Sequence, residues 1–173
     1  RIERASSLFL QANARLSHAL RSARDRVRFP DTAQRFASAV GMVSLGTRGD
    51  DFHGPDAAVV VDPGGNDTYE REPVTGGAVS VLIDLGGDDR YRGSAASLDF
   101  SGDDTYESTG PGWGAAIAGA SALVDYAGND TYASGHFGQG AAAFGLGVLL
   151  DLSGSDGYRL SAAGQGLGLA GGL

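Results

Sequence analysis

Three features of this chain predict a mainly β fold: a parallel β-helix or solenoid with an N-terminal helical hairpin as its cap. From about Leu45 onward the helical spacing of apolar residues gives way to strict alternation. One acidic motif, apolar-Asp-x-x-Gly-x-Asp-x-Tyr, is written five times, as VDPGGNDTY, IDLGGDDRY, LDFSGDDTY, VDYAGNDTY and LDLSGSDGY. The stretches between its later copies align without a gap, as expected when each repeat is one coil of a stack.

Residues 1–44 are expected to form the hairpin. Ile2, Phe9, Leu16 and Ala23 fall at sevenfold spacing, with Ala5, Ala12 and Ala19 three positions after the first three, which predicts an amphipathic helix over 2–28. Pro30 cannot continue its hydrogen-bond ladder. Asp31 with Gln34 resembles a capping box for a second helix, whose Ala33, Phe36, Ala37, Val40 and Val43 would share one face before Gly41 and Gly46 end it. The apolar side is expected to pack on the rest of the protein, over the open end of the first coil, rather than to join two chains as a coiled coil.

Residues 45–173 are expected to be solenoid. Val79, Val81 and Ile83, then Ala120, Ala122 and Val124, then Leu146, Val148 and Leu150 alternate ahead of a Gly/Asn/Asp turn, the pattern of a strand running into a tight corner. The first motif aspartates, Asp62, Asp84, Asp99, Asp125 and Asp151, are 22, 15, 26 and 26 residues apart. GWGAAIAGASALVD lies over GQGAAAFGLGVLLD, and GQG at 164–166 starts the next copy in register. The interval of 15 requires a coil that is short on one side. An earlier, decayed copy reads GTRGDDFH at 46–53. The chain opens at Arg1 and closes inside the repeat pattern, so it reads as a piece of a longer protein.

Composition excludes several classes. The 29 glycines follow no Gly-X-Y period and prolines number only 5, against collagen. Without cysteine there is no disulfide framework and no thiolate chemistry. Net charge is −8, but residues 1–35 carry eight arginines against three acids while residues 36–173 carry five arginines against eighteen. Such an acidic body repels nucleic acid and anionic membrane and attracts cations. No apolar run is long enough to span a membrane.

Stacked coils place equivalent residues about 4.8 Å apart. The motif therefore builds two ladders of carboxylates, Asp62, Asp84, Asp99, Asp125 and Asp151 in one and Asp67, Asp89, Asp104, Asp130 and Asp156 in the other. Neighbouring like charges at that spacing repel by roughly 1–3 kcal/mol per pair. No lysine offsets them. Divalent cations held between coils would, and an all-oxygen ligand set favours Ca²⁺ over Zn²⁺. All ten aspartates are thus candidate metal ligands. The competing reading makes them caps of backbone N–H groups in tight turns, with the tyrosine as a wall residue whose hydroxyl is wet.

GGNDTY and SGDDTY resemble the calcium-binding nonapeptide repeats of RTX proteins, G-G-x-G-x-D-x-U-x. Gly65, Gly87, Gly102, Gly128 and Gly154 match the fourth position, the second aspartates match the sixth, and Tyr69, Tyr91, Tyr106, Tyr132 and Tyr158 match the eighth. The resemblance implies turns that bind Ca²⁺ and fold on binding it, in a protein secreted by a bacterium or held at its surface. The chain departs from the pattern in carrying aspartate at the first position and in spacing its motifs 15–26 residues apart, where RTX copies follow every nine. One acidic turn per coil results, so the resemblance is to the turn and not to the whole roll.

Signals of catalysis are few, and no catalytic residue is expected. His18, His53 and His136 form no zinc motif, no serine sits in G-x-S-x-G, and GLGLAG at 166–171 lacks the acid that a dinucleotide site needs. RGD at 48–50 is unsurprising in a chain of this composition. Trp113 occupies the slot that Gln139 and Gln165 fill elsewhere, which suggests packing more than sugar stacking. The expected function is a calcium-stabilised structural or binding segment of a larger exported protein. Its partners would be divalent cations, the remaining coils, and a polysaccharide or protein surface. The rivals are a β-helix lyase or hydrolase acting on carbohydrate and a metal-free interaction solenoid.

Overall fold

The computed structural model describes residues 11–169 apart from 13, 17, 21, 24, 25, 72–79, 94 and 95. Residues 11–23 are helical where described, within the helix expected over 2–28. That helix does not reach its expected end, since residues 26–28 are turn, bend and irregular, and residues 2–10, 13, 17, 21, 24 and 25 lie outside the described residues.

The second helix does not form. Gln34–Ser38 (β1) and Gly41–Leu45 (β2) make an antiparallel hairpin instead. Ser38 sets its turn, accepting from Val40 N–H and donating to the Gly41 carbonyl, and Gly41 takes φ 121°. Phe36 and Val40, expected on a buried helix face, are exposed. The physical reason lies at a distance: β2 pairs in parallel with Ala57–Asp62 (β4), which recruits the segment into a sheet.

From there the chain winds through parallel ladders. Phe52–His53 (β3) precedes β4; then come Thr68–Arg71 (β5), Val81–Asp84 (β6), Arg90–Gly93 (β7), Ala96–Asp99 (β8) and Thr105–Ser108 (β9). Ala116–Ile117 (β10), Ala120–Asp125 (β11), Thr131–Ser134 (β12), Ala142–Ala143 (β13), Leu146–Asp151 (β14), Gly157–Leu160 (β15) and Gly168–Leu169 (β16) complete the series. Sheet A has the order β1-β2-β4-β6-β8-β11-β14, sheet B β15-β12-β9-β7-β5-β3, and sheet C β10-β13-β16. Every described pairing except β1 with β2 is parallel, which is a solenoid of about four turns. The motif repeats superpose residue for residue, with Asp62 beside Asp84, Asp99 beside Asp125 and Asp125 beside Asp151. The interval of 15 is the short coil expected: only two residues separate β7 from β8, leaving no room for a strand in sheet C.

The core divides into two layers. Inside the coils, Val60, Leu82 and Leu123 of sheet A face Tyr69, Tyr91, Tyr106 and Tyr132 of sheet B, with Trp113 closing the third side. Trp113 is buried edge-on to Tyr91 and Tyr106, each 5.6 Å away. The opposite face of sheet A, Ile83, Leu98 and Val124 with Leu85 and Phe100, is covered by Leu20 and Phe29 of the N-terminal segment. The face expected to pack does not: Ala12, Leu16 and Ala19 are exposed, and Leu20 and Phe29 make the contact instead, along the side of sheet A, while the edge beyond β2 is covered by β1.

Candidate metal centre

Each motif is a corner between sheets A and B. The first aspartate ends the sheet A strand and turns its carboxylate into the coil. Its Oδ1 accepts the N–H two residues on, from Gly64, Gly86, Ser101 and Ala127 for Asp62, Asp84, Asp99 and Asp125. This is the turn-capping bond that aspartate favours. The fourth-position glycine lets adjacent coils touch: a Cβ on Gly102 would lie 1.5 Å from the Gly87 carbonyl oxygen.

The second aspartates link the coils. Asp51 N–H donates to Asp67 Oδ1, Asp67 to Asp89, Asp89 to Asp104, Asp104 to Asp130 and Asp130 to Asp156, at 2.6–3.0 Å. A parallel ladder runs through the preceding residue in the opposite sense, missed by sequence reasoning. There Asp88 N–H donates to Asn66, Asp103 to Asp88, Asn129 to Asp103 and Ser155 to Asn129. Its signal was legible in the Asn/Asp at that position of four of the five copies.

Four of the five motif tyrosines are not wet wall residues. Tyr69, Tyr91, Tyr106 and Tyr132 are buried, stacked 4.5–4.8 Å apart, and their hydroxyls reach the first aspartates. Tyr69 donates to Asp84 and Tyr91 to Asp99. Tyr106 lies 3.1 Å from Asp99 Oδ2 and 2.9 Å from Asp125 Oδ2, which also meets Tyr132 at 2.9 Å. One hydroxyl proton serves one acceptor at a time, so this column is short of hydrogen-bond donors.

The carboxylates gather in triplets. Asp67, Asp84 and Asp89 form one, Asp89, Asp99 and Asp104 the next, then Asp104, Asp125 and Asp130, then Asp130, Asp151 and Asp156. Within each, one ligand atom per residue lies within 4.8 Å of the others. Oxygens gathered within that span can share one metal ion. Eight of the ten predicted aspartates are at most 4% exposed, while Asp151 and Asp156 are half-buried. Asp104 Oδ2 and Asp130 Oδ2 are buried without any partner. Burial first, then neighbouring carboxylates, pushes Asp67 and Asp130 up to about 7, Asp89 to about 10 and Asp104 to about 11. Asp84, Asp99, Asp125 and Asp151 are also raised, by burial above all.

The decayed first copy breaks the rule. Gly46 stands in the aspartate slot and His53 in the tyrosine slot, stacked 5.1 Å from Tyr69. Asp62 Oδ2 accepts from His53 Nε2 at 2.8 Å, and Nδ1 meets Ser44 Oγ at 3.0 Å. All three side chains are buried, so this Ser-His-Asp row has no face for a substrate. Arg48–Asp50 is merely its turn, with Asp50 accepting from Asn66 N–H. His18 and His136 are exposed, and Trp113 is inside, so His136 and Trp113 share no cleft. No helix among the described residues is long and apolar enough to cross a membrane.

No protein-family model, curated protein or solved structure matches the chain.

Proposed function

We propose that this chain is a structural repeat domain whose internal aspartate column takes up divalent cations, Ca²⁺ by its ligand chemistry, and is rigidified by them. The observation that carries this reading is the unpartnered, buried Oδ2 of Asp104 and of Asp130, each inside a carboxylate triplet. A buried polar atom without a partner costs roughly 1–3 kcal/mol, more when charged. A hard cation supplies the missing partner. Charge parity supports a divalent ion: each added coil brings two aspartates and one new triplet, so one such ion per coil leaves no net charge. The likeness of the turns to RTX repeats points the same way and carries the expectation of an exported bacterial protein.

The second reading is the metal-free solenoid. It is favoured by the upward shifts of Asp89 and Asp104, which would keep those carboxyls protonated at neutral pH.

Thermal unfolding by circular dichroism in EDTA, CaCl₂ and MgCl₂, with terbium luminescence excited through the buried tyrosines, separates the two. At a hundredfold excess over Kd, each saturated site adds roughly 2.7 kcal/mol, or about 5–10 °C in Tm for a chain of this size. Identical melting in EDTA and CaCl₂, with no tyrosine-sensitised terbium signal, overturns the cation reading. The Asp104→Asn substitution sharpens the choice. It removes a carboxylate shared by two triplets, so the calcium-dependent rise should fall by about half; in a protonated column it leaves stability nearly unchanged. A Kd of about 10⁻⁴–10⁻³ M would fit an extracellular setting.

A further inference from the structure

The outer face of sheet B carries a groove of about 850 Å³ that the aspartate column does not use. It runs along the stack, crossing β7, β9, β12 and β15. One row of its lining reads Arg92, Glu107, Ala133 and Arg159 in successive coils. That row spans three strand spacings, roughly 14 Å. Thr109 and Ser161 add hydroxyls, while that of Ser108 is taken up by the Pro111 carbonyl and Gly110 N–H, and small residues line the rest. Gly135 cannot be larger, because a Cβ there would lie 2.1 Å from the Thr109 carbonyl oxygen.

The charge of this groove runs against that of the body. Residues 36–173 hold five arginines and eighteen acids, yet two of those arginines and only one acid line the groove. Arg92 is shared loosely between Glu70 and Glu107, at 3.8 Å from each. Arg159 enters none of the ion pairs among the described residues, and its ladder neighbour is Ala133. A free guanidinium beside hydroxyls suits carboxylate or sulfate groups on a hydroxyl-rich chain.

We infer that the groove binds an acidic oligosaccharide of about three sugar units, laid along the solenoid axis. An extended peptide is less suited. The groove crosses the strands, whose N–H and C=O groups are spent in the parallel ladders, so no backbone edge is offered. A neutral sugar is also less suited, since no aromatic ring lines the groove. The groove lies outside the column, so binding there is independent of ion uptake.

The test is calorimetric titration, in saturating CaCl₂ to keep the fold constant, of three probes. These are a hexasaccharide alternating glucuronate and N-acetylglucosamine, neutral maltohexaose and a hexaglutamate peptide. The acidic sugar should bind about tenfold more tightly than maltohexaose, and Arg159→Ala should weaken it about tenfold, one charge-assisted bond lost. Arg90→Ala, on the same sheet but outside the groove, should leave it unchanged, and Ala133→Phe should block it. No binding of the acidic sugar, or equal losses from R159A and R90A, overturns the assignment. Equal or tighter binding of hexaglutamate overturns it in favour of an acidic peptide.

Discussion

The two ends of the aspartate column are built differently. At the N-terminal end His53 takes the place of tyrosine and gives Asp62 a nitrogen partner, while β1 covers the edge of sheet A. Gly46 is part of the same device, since a Cβ there would lie 1.8 Å from Asp62 Oδ2, where the imidazole meets it. At the C-terminal end Asp151 and Asp156 are half-buried and Tyr158 is 46% exposed, so water can solvate them. Between these ends, seven carboxylates sit at 0–4% exposure, and the imidazole of His53 is already taken by Asp62. A buried acid must find a base, a solvent or an ion, or keep its proton; the two ends use the first two, and the middle is left with the others.

The largest effect should come from testing how closely the middle coils are packed. Gly102→Ala puts a methyl 1.5 Å from backbone at φ +154°, whereas Gly166→Ala, at φ +77° in the last coil, meets nothing within 4 Å. Urea unfolding should show a loss of roughly 4 kcal/mol or more for the first and about 1–2 kcal/mol for the second. Equal losses would refute the coil contact.

Next come the hydroxyls. Tyr106→Phe strips a donor from two buried aspartates and should cost roughly 1.5–3 kcal/mol. Tyr158→Phe, at the wet end, should stay within about 0.5 kcal/mol. At the closed end, His53→Phe leaves Asp62 Oδ2 facing a hydrocarbon, for a loss of roughly 2–3 kcal/mol. If Tyr158→Phe proves as costly as Tyr106→Phe, solvation is not what separates the end from the middle.

Acidity provides a graded effect in EDTA. The folded protein holds protons on Asp67 and Asp130 up to about pH 7, and on Asp89 and Asp104 up to about 10 and about 11. The unfolded chain releases them near the ordinary aspartate value of about 3.9. Their contribution is therefore complete below about pH 4 and is lost as pH rises, first through 7. Tm in EDTA should fall from pH 5 to pH 9, and saturating CaCl₂ should flatten that slope; a rise in EDTA would contradict the burial. Smallest of all, Arg35→Ala breaks the 2.5 Å pair that ties β1 to Asp56 on the exposed surface, and should leave the urea midpoint almost unmoved.

Much of the solenoid could be read from its residues. The first aspartate of each motif does end a strand, and in four of the five it caps its turn; the interval of 15 does mark a coil without a third side. The segment 31–44 could not be read, because Ala33, Phe36, Ala37 and Val40 fit a helical period over a stretch too short to exclude a strand. Parallel pairing of Val43 and Leu45 with Val59 and Val61 decided it. The burial of the tyrosine hydroxyls was missed for a related reason, since alternation says that two faces exist but not which one turns inward.

By itself the sequence determined the repeat, the corner chemistry and the need to neutralise two ladders of acid, because these depend on residue type and spacing along one chain. The tertiary structure alone decided that both ladders lie inside the coils, that each triplet draws on two neighbouring coils, and that a histidine closes one end. Those outcomes depend on stacking across 15–26 residues of chain, where contact between coils, and not local propensity, sets which groups lose water.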